Sequence, residues 1–143
     1  MKNNSIPEQV VAKMMDQDYF SQWLGISVKS ISPGACSMEM RVRKEMLNGF
    51  GIAHGGIAFS LADSALAFAS NSRNKKSLVI NTSVSFTSAV KEDDILIATA
   101  SETSVTNRLG IYQVVVTRQD ESKVLIFTGT VFRKDELWFP DEE

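Results

Sequence analysis

The feature that most constrains the fold is a run of small and apolar side chains from Gly55 to about Asn71, GGIAFSLADSALAFASN. Its alanine, leucine and phenylalanine content favours a helix over a strand. On a helical wheel at about 100° per residue both sides are small or apolar. One side carries Ala58, Leu61, Ala65 and Phe68, and the other carries Gly56, Ser60, Asp63, Ala67 and Ser70. We therefore predict a helix that is buried nearly all round.

Asp63 is the exception in that run. A buried carboxylate costs several kcal/mol, as an order of magnitude, unless it is paired. The only histidine of the chain, His54, stands directly before Gly55 and Gly56, where the helix is predicted to begin. This combination indicates a chemical use for Asp63, with a structural pairing to a serine or to an arginine across an interface as the alternative.

The flanking sequence predicts an α+β protein. Residues 7–24 have helical spacing, as one helix or two short ones, and end at Gly25. The predicted strands are 26–31, 35–42, 78–86, 94–105, 109–119 and 124–132, the last four as an antiparallel meander. Residues 72–77 are predicted to be a polar linker, and the residues after Phe132 a short surface extension.

Length and composition set the broad class. With 143 residues, 43% of them hydrophobic, we expect a single domain over 1–143, with an N-terminal helical segment at 7–24 and a core at 25–133. A net charge of -2 with scattered basic residues argues against nucleic acid as a partner. No stretch approaches about 18 consecutive apolar residues, so we expect no membrane partner. The start MKNNSIPEQ lacks the apolar core of a signal peptide, which predicts a cytoplasmic protein.

The scarcity of histidine and cysteine restricts the chemistry. One His54 and one Cys36 do not have the ligand spacings of a zinc or haem site, so we expect no metal and no resident cofactor. A serine or cysteine triad is also disfavoured, because Cys36 has no partnering signature with His54.

The segment 46–72 combines MLNG at 46–49, HGG at 54–56, FSLADSA at 59–65 and NS at 71–72. It resembles the hot-dog acyl-CoA thioesterases of phenylacetate degradation, and the likeness covers about residues 20–133. The resemblance implies a long central helix wrapped by a curved antiparallel sheet of about six strands. It also implies a homodimer that hydrolyses an aromatic, phenylacetyl-type acyl-CoA, with coenzyme A as part of the substrate. At 85–90 the chain reads SFTSAV, where that subfamily often carries an acidic residue, Phe and an Arg-Pro-like pair.

Thioester hydrolysis needs a hydrogen-bond donor at the carbonyl oxygen and a base or nucleophile at the carbonyl carbon. The N–H of Gly55, at a helix N-terminus, suits the oxyanion. Asp63 suits the base, or the nucleophile through a transient anhydride, and the sequence leaves both roles open.

Three further residues match the motif. Asn48 resembles the position that holds the substrate carbonyl or the attacking water, with turn formation by Asn-Gly as its alternative. His54 positions the glycine turn or the substrate, or is an ordinary loop residue. Ser64 matches a hydroxyl that orients water, or bonds only its own backbone. Residues for the coenzyme A nucleotide stay unassigned, among them Arg73, Lys75, Lys76 and Arg108.

Helix geometry adds a constraint of its own. Eight residues separate Gly55 from Asp63, which is about 12 Å at 1.5 Å per residue, whereas one thioester carbon needs both groups within about 3 to 4 Å. We therefore expect Asp63 to serve the Gly55 of a partner chain across a two-fold axis. Whether two such dimers join into a tetramer is left open.

Two other functions compete with this interpretation. One is a hot-dog enoyl-CoA hydratase or dehydratase, in which an acid typically lies several residues before the histidine; between Lys44 and His54 only Glu45 is acidic. The other is a non-catalytic acyl-CoA-binding protein.

Overall fold

The computed structural model describes residues 3–141. Its N-terminal segment forms two helices, α1 (Ile6–Gln17) and α2 (Tyr19–Leu24). Asp18 separates them because its side chain accepts from the N–H of Ser21 at 3.0 Å and so starts a new helix. Gly25, at φ 75°, ends α2 in the left-handed conformation that favours glycine. Of the two predicted arrangements, the pair of short helices is confirmed.

The long helix α3 (Gly55–Asn71) begins and ends where the sequence predicts. The strands are β1 (Ser27–Ser32), β2 (Ala35–Arg41), β3 (Lys75–Phe86), β4 (Ile95–Val105), β5 (Leu109–Thr117) and β6 (Lys123–Leu137), with a short 3₁₀ helix at Lys44–Met46. The α+β class is therefore confirmed. Within residues 3–141, no helix is both long and apolar enough to cross a lipid bilayer.

The six strands form one antiparallel sheet in the order β1-β2-β4-β5-β6-β3. The predicted four-strand meander is wrong for β3, which pairs with β6 and not with β4. The place beside β4 is taken by β2, so the chain leaving α3 joins the sheet at its other end. Periodicity identifies strands but does not identify their partners.

The sheet wraps around α3, which contacts β2, β3, β4, β5 and β6. Leu61, Ala65 and Phe68 on its inner side are fully buried. This arrangement confirms the expected hot-dog fold. The predicted burial of α3 holds for 11 of its 17 residues, whereas Ser60, Asp63 and Ala67 on the outer side remain partly exposed. Since the side chains there are small, this open face can admit another chain closely.

The strand β3 lies at one edge of the sheet, and its residue Leu78 shares a cleft with Ala67 on the outer side of α3. Its residues Leu78, Val79 and Ile80 are 57%, 44% and 59% exposed. An edge strand with unpaired backbone groups and exposed apolar side chains is a template for pairing with another chain.

Two boundary predictions are wrong at the end of the sheet. The strand β3 begins at Lys75, inside the predicted linker, and β6 continues to Leu137, through the predicted surface extension. The basic residues that open β3 pair with acidic residues at the end of β6, as in Lys75 with Asp135 at 3.7 Å. Opposite charges across two strands stabilise pairing although neither segment has an apolar pattern.

Gly129 on β6 allows the sheet to approach α3 closely. A Cβ at this position would lie 2.5 Å from Leu66 and 3.0 Å from Phe127, both fully buried. We expect Gly129→Ala to lower the free energy of unfolding by about 1 to 3 kcal/mol, because the core must move to admit the methyl group. Urea denaturation measures this, with Gly49→Ala as the control, since nothing lies within 4 Å of a Cβ there. Equal stability of the two variants would contradict the close packing.

Candidate active site

The loop before α3 is closed by Asn48. Its side-chain Oδ1 accepts from the N–H of Phe50 at 2.9 Å, and its carbonyl accepts from the N–H of Gly51 at 3.0 Å. Its own N–H donates to the carbonyl of Ile52 at 2.8 Å. Asn48 therefore forms the turn that its Asn-Gly sequence predicted as an alternative to a contact with substrate. It also lines the cleft described below.

His54 is the N-cap residue of α3. Its Nδ1 accepts from the N–H of Gly56 at 3.0 Å, while its own N–H donates to the carbonyl of Met46 at 2.8 Å. An imidazole nitrogen that accepts carries no proton, so in the neutral ring the proton is on Nε2. His54 thus positions the glycine turn by satisfying one of the unpaired N–H groups of the helix.

Gly55 provides a backbone N–H at the first position of α3. The hydrogen bonds formed within residues 3–141 include no acceptor for it. The group lies at the positive end of a helix of 17 residues, where the aligned peptide dipoles favour negative charge. A ligand oxygen can therefore be bound at Gly55 with no competition from the neighbouring turn.

A cleft of about 430 Å³ opens at this end of α3. Its walls are the loop 48–55, Ala58 and the segment 86–90 that follows β3, with Val124 behind. The ring of Phe86 would lie 3.3 Å from a Cβ on Gly55, so the absence of a side chain at Gly55 lets backbone and ring approach closely. Phe86 itself lines this cleft, whereas Phe59 of α3 packs edge-on against Phe127 at 5.5 Å between ring centres.

Asp63 lies about two turns further along α3 and does not line the cleft. No ion pair joins it to a basic residue, and no serine hydrogen-bonds it, among residues 3–141. Burial raises the pKa of this carboxyl above its usual value, and the nearby charge of Asp18 raises it further. The continuous helix keeps Asp63 about 12 Å from Gly55 along its axis.

Ser64 is buried against α2, where its Oγ lies 2.8 Å from the Oγ of Ser21. The alternative that Ser64 bonds only its own backbone is therefore wrong, because α2 packs on this side of α3. The sequence did not predict that Asp18 lies near Asp63. An aspartate between two helical segments was a signal for an N-cap, but no local pattern shows which part of α3 that cap approaches.

The basic residues left unassigned in the sequence are engaged in surface ion pairs. Arg73 pairs with Glu102 at 2.7 Å, and Arg108 pairs with Asp135 at 3.0 Å. In the described part of the chain, no three His, Cys, Asp or Glu side chains are grouped as for a metal ion.

Comparison with known proteins gives the family. A family model described as the thioesterase superfamily matches residues 50–125, which include the glycine turn, α3 and the strands β3, β4 and β5. The chain belongs to the thioesterase superfamily. An Archaeoglobus fulgidus protein designated a candidate esterase is 35% identical over 97% of this chain and 90% of its own length.

Two further relatives are from Escherichia coli and Thermus thermophilus. The Escherichia coli acyl-coenzyme A thioesterase PaaI is 32% identical over 84% of this chain and 86% of its own length. The structure of the PaaI protein from the phenylacetic acid degradation operon of that bacterium superimposes with a TM-score of 0.90, over 92% of this chain and 96% of that one, at 30% identity. A mutant form of the Thermus thermophilus phenylacetic acid degradation protein PaaI gives a TM-score of 0.79 at 34% identity, over 82% and 100% of the two chains.

The capping bond of His54 can be tested separately from any contact with substrate. We expect His54→Ala to lower the free energy of unfolding by about 1 kcal/mol, because the N–H of Gly56 loses its acceptor, and His54→Asn to recover most of it, because Asn is a good N-cap. Urea denaturation of the three proteins measures this. Identical stability of His54→Ala and the unmodified protein would contradict the capping role.

Proposed function

We propose that the protein hydrolyses acyl-CoA thioesters to a free acid and coenzyme A. The observation that carries the proposal is the N–H of Gly55, which has no acceptor among residues 3–141 and belongs to a residue that lines a cleft of about 430 Å³ at the head of α3. Membership of the thioesterase superfamily and the likeness to an acyl-coenzyme A thioesterase support the same reaction.

In this reaction the N–H of Gly55 donates to the thioester oxygen as negative charge develops on it. Loss of such a donor costs about 3 kcal/mol in comparable sites. Asp63 takes a proton from the attacking water, or attacks the carbonyl itself to form an anhydride that water then opens. In the first route the carbon–sulfur bond breaks as Asp63 passes the proton that it took from water to the sulfur of coenzyme A. In the second route the thiolate leaves as the anhydride forms and takes a proton from the solvent, and water then opens the anhydride to release the acid and restore Asp63.

The Asp63 of this reaction comes from a second copy of the chain. The continuous α3 holds its own Asp63 too far from Gly55, and the Asp63 side of α3 is open. Two α3 helices that run antiparallel with Gly55 against Asp63 cross near residue 59. Two equivalent sites result, each with one group from each chain.

The edge strand β3 supports the same two-fold axis. Gly55 adjoins Phe86 at one end, and Asn71 shares a cleft with Leu78 at the other, so α3 and β3 run side by side. The four residues from Gly55 to residue 59 span about 6 Å along α3. On β3, whose Phe86 adjoins Gly55, the same length is covered by about two residues counted from Phe86. An axis through residue 59 of α3 therefore passes near Val84, and two β3 strands would pair antiparallel around it.

We further propose an aromatic acyl group, of the phenylacetyl type. The cleft has the ring of Phe86 and the apolar side chains of Ile52, Val90 and Val124 in its walls, which suit a flat apolar group. The two PaaI relatives named in connection with phenylacetic acid degradation support this choice. Residues 86–90, within the segment where the chain departs from the pattern of that subfamily, form one wall of the same cleft.

A panel of acyl-CoA substrates with detection of the free thiol tests reaction and substrate together. We expect hydrolysis without added metal, unchanged by EDTA, with phenylacetyl-CoA and similar aromatic substrates preferred in kcat/KM. Loss of activity in EDTA that zinc restores would contradict the metal-free reaction. A preference of tenfold or more for long straight-chain substrates, about 1.4 kcal/mol in transition-state binding, would contradict the aromatic acyl group.

Subunit mixing tests the shared site. We expect Asp63→Asn to lower kcat by about 10² to 10⁴ because the base or nucleophile is lost, and Gly55→Pro to be inactive because the donor is lost. After exchange confirmed by native mass spectrometry, an equal mixture should recover to about one quarter of the unmodified activity, since half of the dimers are mixed and each contains one intact site.

The matched control combines both substitutions in one chain. An equal mixture of this double variant with unmodified protein has one half of the unmodified activity before subunit exchange. After exchange the activity should fall to about one quarter, because every mixed dimer has two damaged sites. If confirmed heterodimers of the single variants stay inactive and the control mixture stays at one half, Gly55 and Asp63 do not act across two chains.

A further inference from the structure

Three hydrogen-bonded side chains join the start of α2 to the residue beside Asp63. The Oγ of Ser64 lies 2.8 Å from the Oγ of Ser21, and the Oγ of Ser21 donates to Oδ2 of Asp18 at 2.6 Å. Ser21 is fully buried and Ser64 is 8% exposed. Buried hydroxyl groups are costly unless they are hydrogen-bonded, so this chain is a fixed part of the contact between α2 and α3.

The direction of the chain follows from the number of protons. A serine hydroxyl has one proton to donate, and that of Ser21 goes to the Asp18 carboxylate. In the contact between the two serines, the donor must then be Ser64. Its single proton points inward to Ser21, and its oxygen can only accept a further hydrogen bond.

An acceptor beside Asp63 is what an attacking water requires. The water must direct a lone pair at the carbonyl carbon, which is easiest when acceptors take both of its protons. Asp63 takes the proton that is transferred, and the Ser64 oxygen can hold the other. A Ser64 that donated to the water would engage the lone pair needed for attack.

We propose that Asp18 is a positioning residue for the hydrolysis: by accepting the Ser21 proton it turns the Ser64 proton inward and leaves the Ser64 oxygen to orient the water that Asp63 activates. The inference rests on the proposed function and adds a residue to it. Asp18 acts through Ser21 and Ser64 and not by contact with the reacting atoms.

The charge of Asp18 also acts on Asp63. Among residues 3–141, Asp18 at the N-cap of α2 is the charged neighbour that affects the pKa of Asp63, and no basic residue forms an ion pair with Asp63. Lys13 of α1 shares a cleft with Asp18, but the two form no ion pair within 4.0 Å. Burial is the larger cause of the raised pKa of Asp63, and Asp18 is the second. Loss of the Asp18 charge therefore lowers that pKa, and activity that needs ionised Asp63 extends to lower pH.

Asp18→Asn is the main test. Asn still caps α2 through its Oδ1, but its amide donates to Ser21, so Ser21 donates to Ser64 and the Ser64 proton turns outward. We expect kcat to fall by about tenfold with little change in KM, and the acidic limb of the pH profile to move to lower pH. Asp16→Asn is the matched control, since it removes an equal charge from an exposed residue whose carboxylate accepts from Gln17. It should leave both kcat and the pH profile unchanged.

Ser21→Ala separates the hydroxyl chain from the charge. It frees the Ser64 proton but keeps the Asp18 carboxylate, so kcat should fall while the acidic limb stays in place. Unchanged kcat in both Ser21→Ala and Asp18→Asn would overturn the proposal. The proposal would also be overturned if Asp18→Asn left the acidic limb of the pH profile in place and lost activity only in proportion to its lower stability in urea. Asp18 would then be only a helix cap. An active Asp63→Asn variant would instead overturn the proposed role of Asp63.

Discussion

The rigid rise of α3 is the constraint on which the rest of the structure depends. Gly55 at its first turn and Asp63 two turns later are held about 12 Å apart, and a helix packed against five strands cannot bend to bring them together. The outer side of α3 has small, partly exposed side chains, and the neighbouring strand β3 is an exposed edge of the sheet. These features of the single chain fit a site completed by a second copy.

The two groups of the proposed site are prepared in different ways, the N–H of Gly55 by its position beside a capped turn and the carboxylate of Asp63 by its surroundings. At the start of α3, His54 engages the N–H of Gly56, while the N–H of Gly55 has no acceptor among residues 3–141 and can bind a ligand. Two turns later Asp63 has no basic partner among the described residues, and its pKa is raised by burial and by Asp18. A partly desolvated carboxylate with no paired cation is a stronger base than one held in an ion pair.

The sequence predicted the elements well because their signals are local. The apolar run sets the bounds of α3, and Asp18 and Gly25 end helices through their own caps. The place of β3 beside β6 and the length of β6 were missed, since strand partners depend on long-range packing and charge pairing. At the site, the turn and Asp63 could be inferred from motif and spacing. The approach of Asp18 to α3 could not, because it depends on how α2 packs.

A crystal structure with a non-hydrolysable acyl-CoA ketone, in which a methylene group replaces the thioester sulfur, tests the central claim most directly. We expect the ketone oxygen about 3 Å from the N–H of Gly55 in one chain, and the ketone carbon within about 4 Å of the Asp63 carboxylate of the other chain or of a water bound to it. A ketone bound at Gly55 with its nearest Asp63 in the same chain, or with neither Asp63 in reach, would contradict a site shared between two chains.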